Sequence, residues 1–521
     1  MFLDARSVPE DSLIEADLCI VGAGAAGITI AREFRASPLR VVLLESGWFT
    51  ADEVTQSLYA GEVRERPYFP LDSIQTRCRY FGGTTNQWAG ECRPFAALDF
   101  EQRDWVPDSG WPFDLKHLLP FYEKAQSVCQ LGPFAYAARD WVEPGTRLIA
   151  FDDERFCSYA FHYSPPTRFG EAYRNEIREA SNIIAYLGAN VVDLETPAPP
   201  SYVTGVHVAC LSGNRFRVKA RAVILATGGI ENARLLLQAN RVQSAGLGNA
   251  YDQVGRYFME HLYLDRAAAI LVRGRAISEF YTSGHGADGR RIRGILALSP
   301  AVQRQEKLTN YCAVLDEESL QTAVEGCRFL IGDLRRRRRP NGAFALVGNT
   351  LWLFGGKIAA RLKLDRGRAM PRLFRLKNVM EQAPNRESRV VLADAKDELG
   401  CPRVALHWRL SAIDKRTAHR AHEILAEEFR RAGIGRLRSS LGGENDPWPA
   451  ALRGARHHMG TTRMHPDPRH GVVDPDSRVH GIANLYVAGS SVFPTSGSAN
   501  PTLTIVALAL RLAEHLKHVL R

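Results

Sequence analysis

The sequence lacks the cysteine spacing of a disulfide framework or of a structural zinc site. Its nine cysteines in 521 residues are scattered, odd in number and never arranged as C-x-x-C. Such a pattern is typical of proteins in a reducing compartment, where thiols stay free. We therefore expect a cytoplasmic protein without structural disulfides.

Long hydrophobic runs are also missing. No apolar stretch is long enough to cross a membrane, and residues 1–17 contain no basic segment followed by the apolar core of a secretory signal. These absences argue against a membrane-spanning protein and against secretion.

Several catalytic motifs are absent as well. The sequence contains no G-x-S-x-G nucleophile elbow, no P-loop, no H-E-x-x-H helix and no calcium loop. Hydrolysis, phosphoryl transfer and zinc chemistry therefore have no motif to support them. No metal site is predicted either, because the clustered histidines match no common ligand spacing; they are His457, His458, His465 and His470.

Basic residues exceed acidic ones, 67 to 57, and the net charge is +10. Much of the excess lies in the stretch 331–377, which includes an arginine run at 335–339. A solvated face or mobile lid, and an amphipathic segment resting on an anionic membrane, both stay open as interpretations. Nucleic acid is not expected as a partner, because no aromatic-interleaved recognition module accompanies the charge.

The stretch 17–47 has the pattern of a strand, a glycine-rich turn, a helix and a second strand that ends on an acid. Glycines spaced G-x-G-x-x-G allow a tight turn, close approach of a pyrophosphate and close helix–strand packing, while the acid accepts hydrogen bonds from a ribose. The pattern predicts a dinucleotide site without specifying the dinucleotide. Its defining residues are Gly22, Gly24, Gly27 and Glu45.

Two more strand–loop–helix junctions, near residue 228 and near residue 490, are typical of a doubly wound α/β sheet. Residues 203–226 read as a hairpin, and 263–451 read as an antiparallel sheet with a long helix near 412–432. We expect a discontinuous dinucleotide-binding domain and a substrate-binding domain inserted into it. The expected bounds are 1–100, 170–262 and 452–521 for the first, and 101–169 and 263–451 for the second.

Two loops near the C-terminus contain residues suited to alcohol chemistry. In RHHMGTTRMHPD, at 456–467, histidines flank a glycine turn, and in SGSANPTLT, at 496–504, Asn500 precedes the last predicted helix. A neutral histidine is a natural general base for a hydroxyl proton, and an asparagine can hold the same oxygen. Each residue could equally be a structural hydrogen-bond partner.

Together these blocks resemble the glucose–methanol–choline (GMC) family of flavoprotein oxidoreductases, and within it the pyranose-oxidase-like branch. The resemblance implies a Rossmann-type FAD-binding domain with an inserted α+β substrate domain built on an antiparallel sheet. The matching blocks lie in the family's order between about 17 and 510: GAGAAG with LLESG, FGGTTNQWAG, VILATGGIENARLLL with VGRYFMEH, EQAPNRESRVVL, HHMGTTRM and VAGSSVFPTSGSANPTLT.

The resemblance implies FAD as the cofactor, with the first glycine turn at its pyrophosphate and Glu45 at its adenosine ribose. Gln87 stands where some sugar oxidases of this branch carry the histidine that bonds FAD, so non-covalent FAD is expected. The other cofactor-binding residues implied by the family motifs are Gly82, Gly83, Thr84, Thr85, Asn86, Val191, Thr227, Gly228, Gly489 and Thr502.

The resemblance also implies the reaction: oxidation of a CH–OH group of a sugar, glycoside or other polyol to a ketone or aldehyde. His457 would take the hydroxyl proton while a hydride passes to flavin N5, and Asn500 would hold the oxygen. The electron acceptor, O2, a quinone or another molecule, stays open. Two alternatives remain: a membrane-surface, quinone-reducing alcohol dehydrogenase that docks through 331–377, and a non-catalytic FAD-binding scaffold.

Overall fold

The computed structural model describes residues 1–65, 68–142, 148–272, 277–282, 284–285, 289–318 and 372–521. Within these residues the strands form two eight-stranded sheets and one three-stranded sheet. Most of the basic stretch 331–377 lies outside the described residues, and only its end, 372–377, can be placed.

The first sheet is mainly parallel and grows from the predicted strand–turn–helix–strand unit, which is confirmed. The central strands are almost wholly buried, as expected where helices cover both faces. The predicted hairpin is confirmed as an antiparallel pair at one side of the sheet. The strand order is Phe2–Asp4, Ile183–Leu187, Val41–Glu45, Leu13–Val21, Arg215–Leu225, Gly205–Ala209 and Asn190–Glu195, with Leu485–Val487 also beside Arg215–Leu225.

The final helix, Thr502–Val519, packs against two others beside this sheet, Ala25–Glu33 and Leu115–Val128. The hydroxyl of Tyr122 lies 2.8 Å from that of Thr504, and both residues are buried. The helix Leu115–Val128 falls in the range expected for the substrate domain, but its apolar face packs into the core of the first sheet.

The second sheet is antiparallel, as expected, and the helix Ala412–Arg431 packs on it. Apolar side chains of that helix, including Ile424, Leu425 and Phe429, are fully buried in the same core. The strand order is Gly435–Ser439, His261–Val272, Arg372–Glu381, Tyr311–Glu318, Ile292–Leu298, Phe156–Tyr163 and Glu91–Cys92, with Leu452–Gly454 also beside His261–Val272.

The strands Arg389–Lys396 and Pro402–His407 were expected in the large antiparallel sheet, and this expectation was wrong. They pair with each other and with Gly61–Arg64 in a small separate sheet. Arg234, on a first-sheet helix, donates to Asp397 at 2.5 Å and thereby holds this small sheet against the first. Elsewhere in the described ranges the α-helices are Glu53–Ser57, Ala97–Phe100, Phe169–Ala172, Arg174–Glu179, Glu231–Gln238 and Pro300–Glu306.

In the part of the chain that the structure describes, all eight cysteines are free. No helix there has the length and apolar content that a membrane crossing requires. The same residues contain no cluster of three or more histidine, cysteine, aspartate or glutamate side chains able to hold a metal ion.

Candidate active site

A cavity of about 440 Å³ opens where the parallel strands of the first sheet end, and it extends to the second sheet. Most of the predicted site residues meet on its wall, although they come from distant parts of the sequence. These are Gly22, Gly24, Glu45, Gly83, Thr84, Thr85, Val191, Thr227, Gly228, His457, Gly489, Asn500 and Thr502.

Three predicted cofactor residues lie outside this wall and support it. A Cβ on Gly27 would lie 1.9 Å from the carbonyl oxygen of Gly22, so Gly27 serves the close packing of helix and turn. Gly82 has a φ of +100°, which begins the loop that returns to the cavity. Asn86 donates to the carbonyl of Phe81 at 3.0 Å and closes that loop.

Three glycines on the wall, unlike Gly27, have open space at the Cβ position, which indicates room for a ligand. No protein atom lies within 4 Å of the Cβ position at Gly24, Gly228 or Gly489. The main chain is therefore exposed to the cavity at three points along its length, and a long ligand could approach it closely. The residues present fit a dinucleotide cofactor.

Glu45 lies at the end of its strand and is almost fully buried. Its Oε2 accepts from the N–H of Ala23 at 2.9 Å, and its Oε1 accepts from the N–H of Gly47 at 2.9 Å. Burial is the main influence on this carboxyl and raises its pKa. Glu45 thus holds the glycine turn in place, and its contact with a ribose stays a prediction.

His457 lies on the cavity wall in the loop that follows the strand Leu452–Gly454. Its backbone N–H donates to Oε2 of Glu260 at 2.8 Å, and its Nδ1 lies 2.9 Å from Nδ1 of His261. Burial, with lesser contributions from His261, His458 and Lys377, lowers the pKa of His457 well below its usual value. The imidazole is therefore neutral near pH 7 and able to accept a proton.

The neighbouring His458 has different partners. Its Nε2 lies 3.0 Å from the hydroxyl of Tyr68, and its carbonyl accepts from the hydroxyl of Ser490 at 2.7 Å. Burial lowers the pKa of His458 to about 3. The two adjacent rings thus serve different contacts, as expected for successive residues of an extended chain.

Asn500 is held by the short strand Glu91–Cys92 of the second sheet. Its Nδ2 donates to the main-chain carbonyl of Glu91 at 3.1 Å and lies 3.4 Å from Oε2 of the same residue. The hydroxyl of Tyr163 donates to the other carboxylate oxygen of Glu91 at 3.1 Å. Among the described residues Oδ1 of Asn500 receives no donor, so the amide offers an acceptor on the cavity wall.

Sequence reasoning missed the residues that hold His457. Glu260 and His261 end the block VGRYFMEH, which matched the family motif but suggested no role for its last two residues. Glu260 also accepts from the hydroxyl of Tyr68 and, at 3.0 Å, from the N–H of Ala455. The available signal in the sequence was the pair of adjacent polar residues at the point where an apolar, strand-like run begins.

The described end of the basic stretch, 372–377, reaches the cavity. Lys377 lines the cavity, with its Nζ 4.9 Å from the ring centre of Tyr263. The neighbouring Arg372 and Arg375 pair with Glu317 and Glu318, each at 2.6 Å, on the adjacent strand. These positions therefore belong to a sheet, and the membrane-docking interpretation finds no support in them.

Comparisons with known proteins agree with this geometry. Residues 384–509 match the family model described as GMC oxidoreductase. The chain is 25% identical to a 6'''-hydroxyparomomycin C oxidase of Streptomyces lividus, over 96% of this chain and 92% of the relative. It is 23% identical to the fructose dehydrogenase large subunit of Gluconobacter japonicus, over 96% and 97%.

The fold also matches a solved structure of formate oxidase. The TM-score is 0.56 at 16% identity, and the match covers 98% of this chain and 99% of that one. One assignment follows from the fold, the glycine turn, these similarities and the cavity, which gathers residues from five of the six motif blocks. The chain is an FAD-dependent oxidoreductase that acts on CH–OH donors, and it resembles the GMC oxidoreductase family, whose model its residues 384–509 match.

Proposed function

We propose that this enzyme oxidises a hydroxyl-bearing carbon of a sugar, glycoside or other polyol, with His457 as the general base. The observation that carries the proposal is the position of a neutral, half-buried His457 and of Asn500 on the wall of the cavity that also contains the glycine turn. A neutral imidazole can accept a hydroxyl proton, and the amide oxygen of Asn500 can accept a hydrogen bond from a second hydroxyl.

FAD, when bound, supplies the acceptor for the hydrogen and electron pair of the reacting carbon. The glycines on the wall, with Glu45, would hold its nucleotide end through main-chain approach. Gln87 also lines the cavity and has no nucleophilic nitrogen, which supports non-covalent binding.

His457 takes the hydroxyl proton from the substrate. Because burial keeps its ring neutral, the proton goes to a free lone pair, and the developing positive charge stays within hydrogen-bond reach of His261. On the second sheet, Tyr263 and the stem of Lys377 line this end of the cavity.

The acceptor offered by Asn500 supports a substrate with more than one hydroxyl. The reacting hydroxyl donates to His457, and a neighbouring hydroxyl can donate to Oδ1 of Asn500, whose Nδ2 is engaged by Glu91. A simple alcohol would leave that acceptor without a donor, which costs binding free energy. Both curated relatives described above carry names of sugar-type substrates.

Anaerobic mixing tests the proposal. The FAD-loaded protein is mixed with D-glucose, D-fructose, a methyl glucoside, paromamine or cyclohexanol, and loss of the oxidised flavin absorbance is followed. The polyols should bleach the flavin faster than cyclohexanol. His457→Ala should slow bleaching by on the order of 10²-fold or more, the size of a general-base effect.

His422→Gln is the matched control, because His422 is also a histidine whose pKa is lowered by burial, but it does not line the cavity. It should lower stability and leave the bleaching rate of the folded protein unchanged. A His457→Ala protein that keeps the wild-type bleaching rate would overturn the assignment of the base. Transfer of the electrons to O2 or to a quinone dye then separates an oxidase from a dehydrogenase.

A further inference from the structure

We propose that His261 is a positioning residue that fixes the tautomer of His457 and keeps its Nε2 free for the hydroxyl proton of the substrate. The inference deepens the proposed function, because it rests on His457 as the base. It concerns a ring that no motif assigned and that does not itself line the cavity.

The first step is the hydrogen on His261. This residue opens the strand His261–Val272 and is fully buried. Its Nε2 lies 3.0 Å from the carbonyl oxygen of Ser496. A carbonyl oxygen only accepts, so Nε2 of His261 carries a hydrogen. Burial lowers the pKa of His261, which leaves the ring neutral with a bare lone pair on Nδ1.

The second step is the contact between the two rings. Nδ1 of His261 and Nδ1 of His457 lie 2.9 Å apart, and the ring planes are perpendicular at 90°. One hydrogen must lie between two nitrogens at this distance, and only His457 can supply it. His457 therefore carries its hydrogen on Nδ1, and its Nε2 presents a lone pair. The tautomer follows from the hydrogen-bond network.

The third step is the effect during the reaction. When Nε2 of His457 takes a proton, its Nδ1–H becomes a charge-assisted donor to Nδ1 of His261. Nε2–H of His261 in turn donates to the carbonyl of Ser496, so the two hydrogen bonds strengthen each other. A neutral acceptor thus stabilises the charged ring and fixes its orientation. Ser496 belongs to the loop that contains Asn500, so His261 also links the two loops that supply the reacting groups.

Histidine ¹⁵N NMR of the FAD-loaded protein reads the tautomer directly. The chain has 15 histidines, and the signals of His457 are those lost in His457→Gln. At pH 8 we expect a protonated Nδ1 and a bare Nε2. In His261→Leu that tautomer should no longer be fixed. A hydrogen on Nε2 in the wild-type protein, or an unchanged tautomer in His261→Leu, would overturn the inference whatever the substrate is.

A matched pair of variants separates positioning from packing. Asparagine and leucine have nearly the same shape, but only asparagine places an acceptor near the position of Nδ1. With the panel sugar that bleaches the flavin fastest, His261→Leu should lower kcat about 10- to 100-fold with little change in KM. His261→Asn should recover most of that loss. Equal losses in the two variants, at equal flavin content and melting temperature, would contradict the positioning role.

The two proposals fail in different ways. If His457→Ala bleaches normally, the proposed function fails while the NMR result still decides the tautomer. If His457→Ala is slow but His261→Leu is as fast as the wild type, the function stands and the role of His261 is rejected.

Discussion

The two large sheets line the same cavity, but one presents mainly main-chain groups and the other presents side chains. The parallel sheet contributes mainly main chain, through glycines at its strand ends such as Gly22 and Gly228. The antiparallel sheet contributes side chains, with Tyr263 and Lys377 on the wall and His261 directly behind His457. A nucleotide is held by close main-chain approach, whereas proton transfer needs ionisable groups fixed on rigid strands.

The difference predicts how each wall responds to mutation. Substitutions of glycines on the parallel side act by steric overlap, because an added carbon atom meets either protein or cofactor. Substitutions on the antiparallel side act through charge and hydrogen bonds, because the groups there are buried and mutually dependent.

The largest effects are expected in the glycine turn. Gly27→Ala places a carbon 1.9 Å from a main-chain oxygen, so the turn must open, and we expect loss of FAD binding together with a large loss of stability. Gly24→Ala meets no protein atom and has a compatible φ of −86°. It should melt like the wild-type apoprotein yet bind FAD at least about tenfold more weakly, the scale of about 1.4 kcal/mol.

Thermal unfolding of the apoproteins and FAD titration by fluorescence measure both effects. Equal FAD affinity in Gly24→Ala and the wild type would show that no cofactor passes this glycine. The pair of variants then separates the packing role of one glycine from the binding role of the other.

The next effect concerns a buried ion pair at the end of Arg372–Glu381, an interior strand of the antiparallel sheet. Arg103 and Glu381 form a bidentate pair, at 2.6 and 2.9 Å, with no solvent exposure of either side chain. Arg103→Met leaves the carboxylate buried without its cation and should cost about 3–5 kcal/mol of unfolding free energy. Arg304→Met breaks an exposed pair with Glu101 and should cost less than about 1 kcal/mol.

Guanidinium unfolding of both variants checks this difference. Arg103→Met combined with Glu381→Gln should recover part of the loss, because the uncompensated charge is then removed. A double variant as unstable as the single one would mean that lost packing, rather than charge, dominates.

Glu260 should give the antiparallel side a pH-dependent stability. Burial raises the pKa of Glu260 to about 7, above its unfolded value of 4.5. Its contribution to stability is therefore fully present below pH 4.5 and is lost as the pH rises through 7. Glu260→Gln can still accept both main-chain N–H groups and donate to Tyr68, so it should remove that loss.

The measurement is the unfolding free energy of the FAD-loaded protein at pH 5 and pH 8. Between pH 5 and pH 7 the wild-type curve should fall more steeply than that of Glu260→Gln, by up to about 1.4 kcal/mol per pH unit, and above pH 7 the two curves should run parallel. Glu514→Gln, at an exposed pair with Lys124, should follow the wild-type curve. Parallel curves for Glu260→Gln and the wild type would contradict the expectation.

The parallel side of the molecule could be predicted from sequence because its signals are local. The turn with Gly22 and Gly24, the hairpin at 203–226 and the final helix each follow from periodicity and glycine spacing within about 30 residues. The family resemblance then placed His457 and Asn500, whose chemical roles stay proposals.

The antiparallel side resisted prediction because its contacts are distant in sequence. His261 and His457 are 196 positions apart, and nothing near either one indicates the other. The strand Pro402–His407 looked like its neighbours, but it pairs with Gly61–Arg64, more than 300 positions away. Alternation of apolar residues identifies a strand without naming its partner.

The smallest expected effect concerns Lys377, on the antiparallel wall. Burial is the main cause of the lowered pKa of His457, and His261, His458 and Lys377 add to it in that order. A nearby ammonium disfavours the protonated imidazole, so Lys377→Met should raise the pKa of His457. The acidic limb of the pH dependence of flavin bleaching should then move to higher pH, by a small amount because Lys377 ranks behind the other causes.

The test is a pH profile of anaerobic bleaching for Lys377→Met, with Lys517→Met as the control. Lys517 pairs with Glu33 at 2.7 Å on the parallel side and does not line the cavity, so its removal should leave the profile in place. A Lys377→Met profile that stays fixed or moves to lower pH would mean that its ammonium does not act on His457. The pKa of His457 would then be set by burial and by its histidine neighbours, without a contribution from the ammonium of Lys377.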